Sequence, residues 1–243
     1  MPFELEVIGF DLDSCIIAER AGAHRIELCA NPHEGGTTPS LGMIKMARKS
    51  TSLQLFPIIR PRGGDFYYNN SEFLSMKEDI KISREEGCDG VVIGMLRKDG
   101  TVDVDGCHEL IHHANGFEIT FHRAFDRVRD QIKALDQVIA LGCSRILTSG
   151  GFPTASEGKE QLKKLVALSK DRINIMVGSG VKSSNIKELH DFTQATAFHA
   201  SARKNISSKM EYQHSSMNES LDKISIDEEE VRLLRKTLDE IFS

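Results

Sequence analysis

The chain has 243 residues, and 31 Lys and Arg against 36 Asp and Glu give a formal charge of −5 at pH 7, the wrong sign for a general polyanion binder. With 40% apolar and 28% charged residues, wholesale disorder is excluded and the length suffices for a large core. No apolar run reaches the roughly 20 residues that span a bilayer, and Met1 to Glu6 contains neither a basic n-region nor an apolar h-region. The expected location is therefore cytoplasmic, with neither nucleic acid nor membrane as a partner. Five scattered cysteines, Cys15, Cys29, Cys88, Cys107 and Cys143, form no CxxC pair and read as free thiols.

Eight short runs rich in Val and Ile are predicted as strands. They lie at Leu5–Gly9, Arg25–Cys29, Ile58–Arg60, Val91–Met95, Glu118–His122, Arg145–Ser149, Asn174–Gly178 and Ala197–Ser201. The segments between them carry helical stripes, as in Ile132, Leu135, Val138 and Ile139. Three helix-to-strand turns are weak copies of one another, each placing a glycine (Gly22, Gly87, Gly142) before a small residue and a strand. Eight strand-helix units without a linker predict an α/β fold of one domain over 1–243, a closed (β/α)8 TIM barrel, whose usual length is about 250 residues. The alternative, an open doubly wound sheet, lacks its phosphate fingerprint at Gly9-Phe10-Asp11-Leu12, so no nucleotide cofactor is expected. Pro57 is expected at the start of the third strand or at a bulge. A polar stretch at about 204–226 reads as a long loop, either a lid or unstructured, before a last helix at about 227–242 capped by Asp227 and Glu230.

Alternate strand residues face a barrel's interior, and the C-terminal strand ends converge on one mouth. This parity turns Glu6, Glu27, Cys29, Arg60, Thr120, His122 and His199 inward. So many buried polar groups require partners or a ligand, the usual mark of a functional site. Further mouth candidates follow the strand ends: Arg62 and Asp65, Arg123 and Asp126, and the glycine-bearing turns with Ser149, Gly150, Gly178 and Gly180, whose main-chain N–H groups suit an anion. The segment His108-Glu109-Leu110-Ile111-His112 matches the zincin spacing, but its histidines lie off the helix's apolar face and should point to solvent.

The segments Arg25-Ile26-Glu27-Leu28-Cys29, Glu34-Gly35-Gly36-Thr37-Thr38-Pro39-Ser40, Ile59 to Phe66, Thr120 to Asp126 and Leu147-Thr148-Ser149-Gly150 together resemble the CutC family, named for copper homeostasis. The resemblance runs from about Leu5 to Arg203. It implies a TIM barrel, a cytoplasmic location, frequent homo-oligomers, and Cu(I) bound through Cys29. The first-strand cysteine of copper-binding members is replaced here by Ile8, so His122, His199 or a methionine would have to assist. From the residues alone the alternative expectation is an enzyme for a small anionic substrate, phosphorylated or sugar-like. Arg60 and Arg62 would clamp the anion, His122 would act as general acid or base, and Glu27 would orient it or share its proton.

Overall fold

A computed structural model describes residues 3–243. Eight parallel strands, β1 (Glu4–Gly9), β2 (Arg25–Leu28), β3 (Gln54–Pro57), β4 (Gly90–Ile93), β5 (Glu118–Phe121), β6 (Arg145–Thr148), β7 (Asn174–Val177) and β8 (Ala197–Ala200), alternate with helices. Their hydrogen-bonded order is β3-β2-β1-β8-β7-β6-β5-β4. The ring closes between β3 and β4 through a bridge from Ile58 to Val92, with Ile59 N–H donating to the Val92 carbonyl at 2.8 Å and Asp89 N–H to that of Leu55 at 3.1 Å. The result is the expected TIM barrel.

The third strand begins four residues earlier than its sequence run. Pro57 is its last residue rather than its first. Leu55 and Ile59 both bond toward β4, so alternation places the Pro57 nitrogen on that same side, where it has no hydrogen to give. The missing bond thins the seam at which the barrel closes.

The helices are α1 (Leu12–Arg20), α2 (Leu41–Ser50), α3 (Asn70–Glu85), α4 (Val104–Ala114), α5 (Gln131–Ala140), α6 (Lys159–Ser169), α7 (Ile186–Thr193) and α8 (Glu228–Ile241). Local chemistry starts them: the Asp11 side chain accepts from Ser14 N–H, and Asn69 with Glu72 forms a reciprocal capping box. Gly142, at φ 81°, occupies the left-handed region needed to leave α5. Two large apolar clusters seal the helices against the sheet, while smaller ones, Ile8, Cys29, Phe56, Ile58 and Val92 on one side and Leu147, Met176 and Ala197 on the other, fill the interior. All five cysteines are buried free thiols.

The stretch at 204–226 is not a single loop. Strands β9 (Arg203–Ile206) and β10 (Lys223–Ile226) pair antiparallel as a hairpin, leaving only the polar connection between them irregular. Asp227 caps α8 through Glu229 N–H. Glu230, expected to complete that cap, instead accepts from the main-chain N–H and hydroxyl of Ser183, at 2.7 and 2.8 Å, and so ties α8 to the loop after β7.

Candidate functional site

The barrel floor is an ion-pair plug. Arg25 is fully buried with its guanidinium 3.4 Å from the Phe56 ring centroid; it donates from Nε to Glu6 at 2.6 Å and from Nη2 to the Thr120 hydroxyl at 3.2 Å. Arg145 bridges Glu4 at 3.1 Å and Glu118 at 2.8 Å. Neither arginine was among the sequence candidates, although the alternation that turns Glu27 inward also turns Arg25 inward. Glu6 is thus neutralised by its neighbour on β2.

Above the plug sits a linked set of three titratable groups. Nδ1 of His199 donates to Glu6 Oε1 at 2.7 Å, and Nε2 lies 3.8 Å from Glu27 Oε2. Burial works to raise the Glu6 carboxyl, but Arg25, with the bond and charge of His199 behind it, holds it down at about 2. Burial dominates at Glu27, aided by the charge of Glu6 against the pull of His199 and Arg25, and lifts its carboxyl to about 7. For His199 burial is outweighed by the Glu6 hydrogen bond and the two carboxylate charges, and its pKa is raised.

A cavity of about 1130 Å³ opens above these groups at the C-terminal strand ends, walled among others by Glu27, Arg60, Phe66, His122 and His199. Arg60, only 5% exposed, lies three residues past the end of β3. Its Nη1 donates to the carbonyls of Glu34 and Gly36, both at 2.7 Å, and its Nη2 to that of Gly64 at 2.9 Å. These three bonds all go to main-chain carbonyls and no carboxylate pairs with the guanidinium; its buried Nε–H makes no hydrogen bond, and neither does the buried Tyr68 hydroxyl, which the Arg60 charge influences. The Phe66 ring lies 5.1 Å from the guanidinium and 4.9 Å from the His122 ring.

His122 caps the end of β5. Its Nδ1 accepts the N–H of Ala124 at 3.1 Å, which puts the proton of the neutral ring on Nε2, and that nitrogen is buried without a partner. Burial, and then the Arg60 charge, push the ring down to about 3, so it is neutral across the physiological range. Gly94 makes room for it: a Cβ at that position would lie 2.5 Å from both Cε1 and Nδ1 of the ring. Two residues of the cavity wall thus each keep a buried donor without a partner, one cationic and one neutral.

The remaining candidates divide between wall and frame. Arg123, Asp126, Asp65 and Gly180 reach the wall. Asp126, however, is occupied by the Thr148 hydroxyl at 2.5 Å, the N–H groups of Ser149 and Gly151 at 3.0 Å, and Arg123 Nε at 2.7 Å. It clasps the loop after β6. Ser149 and Gly150 belong to that clasp, and the N–H groups of Gly150 and Gly178 are spent on Thr148 rather than offered to a ligand. Arg62 is not in the wall; it holds its own loop through Glu72 at 2.6 Å, Asp65 at 3.0 Å and the Tyr67 carbonyl. Arg97, Lys98, Arg127 and Arg203, which no strand-end rule singles out, add further positive charge to the wall, with Arg203 stacked 5.1 Å over Phe10.

Cu(I) prefers two or more soft donors. Cys29 is 1% exposed among Ile8, Phe56, Ile58 and Val92, and burial, then the Glu27 and Glu6 charges, hold its thiol well above its usual range. Among the described residues the one cluster with ligand atoms mutually within 4.8 Å is Glu6, Glu27 and His199, which contains no sulfur. Among the described residues neither His122 nor His199 joins Cys29 in a cluster of three His, Cys, Asp or Glu ligands, and Ile8 beside it supplies no donor atom. His108 and His112 are exposed on α4, as expected, and form no three-ligand cluster among the described residues.

Comparison with known proteins agrees with this architecture. The model of the CutC family matches residues 3–204. A CutC family protein of Chromobacterium violaceum is 44% identical over 241 residues, covering 97% of this chain and 98% of the relative. A human copper homeostasis protein cutC homolog is 42% identical over 215 residues, covering 88% and 79%. The crystal structure of a Streptococcus agalactiae protein, provisionally assigned as copper homeostasis protein CutC, superimposes with a TM-score of 0.78 at 35% identity over 81% of this chain and 97% of that one. A thiamine phosphate pyrophosphorylase from Pyrococcus furiosus, 16% identical with a TM-score of 0.62 over 100% of this chain and 98% of its own, shares the barrel fold. The chain belongs to the CutC family.

Proposed function

We propose that this chain serves copper homeostasis, for which its human relative is named, through a barrel mouth that takes a small anion rather than bare Cu(I). One observation carries the reading: Arg60 is a buried cation with no carboxylate partner, in the wall of the same cavity as His122. An unpaired buried charge is costly, and a phosphate or carboxylate at the mouth would balance that of Arg60. Each charge-assisted bond to such an anion contributes on the order of 1.5–3 kcal/mol. His122 serves as a neutral donor in this reading; a ring held at about 3 is a poor base at pH 7. The Arg60 bonds to Glu34, Gly36 and Gly64 fix the guanidinium in advance, so little ordering remains when the anion arrives. We place the protein in the cytosol; no helix among the described residues is long and apolar enough to cross a membrane.

The test has two arms. Thermal melts of wild type and Arg60→Ala with inorganic phosphate should show stabilisation of the wild type alone, about 1.4 kcal/mol when phosphate is ten times its Kd. Anaerobic Cu(I) competition against a chelator should show weak binding. Absence of any phosphate effect, together with tight Cu(I) binding lost in Cys29→Ser, would overturn the reading.

A further inference from the structure

The Glu6–His199–Glu27 set at the cavity floor is not needed to hold an anion at Arg60. Its geometry has the parts of an acid–base site. Glu6, anchored by Arg25, receives the Nδ1–H of His199 and so aims Nε2 into the space beside Glu27. The 3.8 Å between His199 Nε2 and Glu27 Oε2 is too long for a hydrogen bond between them, yet short enough for both to reach neighbouring atoms of one bound molecule. Both residues line the same cavity as Arg60.

We propose that Glu27 and His199 are the acid–base pair for an isomerisation of a small hydroxy-carbonyl anion whose charged group sits at Arg60. The Glu27 carboxylate takes the proton from the carbon bearing the hydroxyl, next to the carbonyl. The C–H electron pair becomes the carbon–carbon double bond of an enediol, and the carbonyl π pair takes a proton from His199 Nε2. Glu27 then returns its proton to the former carbonyl carbon, the original hydroxyl gives its proton to His199, and the carbonyl has moved by one carbon. No oxidant or reductant is consumed. Burial favours this chemistry, because a desolvated carboxylate is a stronger base than one in water, and Glu27 titrates at about 7, near the working pH. The inference rests on the anion reading above.

The experiment uses 2-phosphoglycolate, whose carboxylate imitates the enediolate and whose phosphate imitates the anchor, beside inorganic phosphate as reference. Its carboxylate would abut Glu27, which must then carry a proton. The groups facing Glu27 are Glu6 from β1, Arg25 and Cys29 from β2, and His199 from β8. Affinity of the wild type, measured by calorimetry, should exceed that for phosphate at pH 7 and fall about tenfold for each pH unit from 7 to 9. In Glu27→Gln, whose amide is a permanent donor, the fall attributable to Glu27 should disappear, leaving only any slope that His199 supplies. Identical pH profiles in both proteins, or 2-phosphoglycolate binding no tighter than phosphate, would refute the acid–base pair while leaving the anion site standing. Failure of both ligands to bind would remove the anion reading, and this inference with it.

Discussion

The Glu6 carboxylate accepts the Nδ1–H of His199 at 2.7 Å while its other oxygen is held by Arg25 at 2.6 Å, so one buried acid both anchors the plug and orients the histidine that faces Glu27. Structural and functional polar groups meet at this residue. Below it every charge has an opposite charge in contact, although Glu4 Oε1, Arg25 Nη1 and Arg145 Nε make no hydrogen bond; above it Arg60 has no carboxylate partner, and Arg60 Nε and His122 Nε2 make no hydrogen bond. That division predicts which substitutions are costly.

Arg25→Ala should strand the buried Glu6 carboxylate and cost about 3–5 kcal/mol, enough to prevent folding at moderate temperature. Arg60→Ala breaks bonds only to carbonyls in loops at the mouth, where water can replace the guanidinium, and should cost about 1 kcal/mol. Denaturant melts of the two variants side by side check the contrast. Equal losses would mean that Arg60 is also part of the plug.

Glu27→Gln should make the empty protein more stable at high pH. The free carboxyl titrates near 4.5 and the folded one at about 7, so between these values the folded state holds the extra proton and stability falls as pH rises. Above pH 7 the full cost stands, on the order of 3 kcal/mol, and glutamine avoids it. Thermal melts should show the variant several degrees higher at pH 8 and nearly equal to wild type at pH 4.5. A lower melting temperature for the variant at pH 8 would contradict a strained carboxyl at this position.

Gly94→Ala should damage the anion site from behind. Its Cβ would meet the His122 ring at 2.5 Å, and the ring must turn or the end of β4 must shift. Overpacking of this kind costs about 1–3 kcal/mol and should remove most of the phosphate stabilisation. Retention of full phosphate stabilisation in this variant would show that His122 does not contact the anion.

Much of this was legible in the sequence. The strand runs set the barrel, and strand parity alone brought Glu27, Arg60, His122 and His199 to one cavity. Three things escaped, each for a physical reason. Gln54 to Pro57 reads poorly as a strand because it opens on a polar residue and closes on a proline, and only the seam opposite β4 tolerates it. The β9–β10 hairpin has no apolar alternation at Arg203-Lys204-Asn205, its outer faces being solvated. What holds Arg60 in place escaped as well: its acceptors are main-chain carbonyls, which every residue carries and no sequence distinguishes.

The central claim, an anion held by a buried unbalanced arginine, is tested most directly by calorimetric titration of inorganic phosphate into wild type and Arg60→Gln at pH 7. Saturable one-site binding in the wild type, weakened at least tenfold (about 1.4 kcal/mol) in the variant, is the predicted result. Equal affinity in the two proteins, or no saturable heat in the wild type, would contradict it.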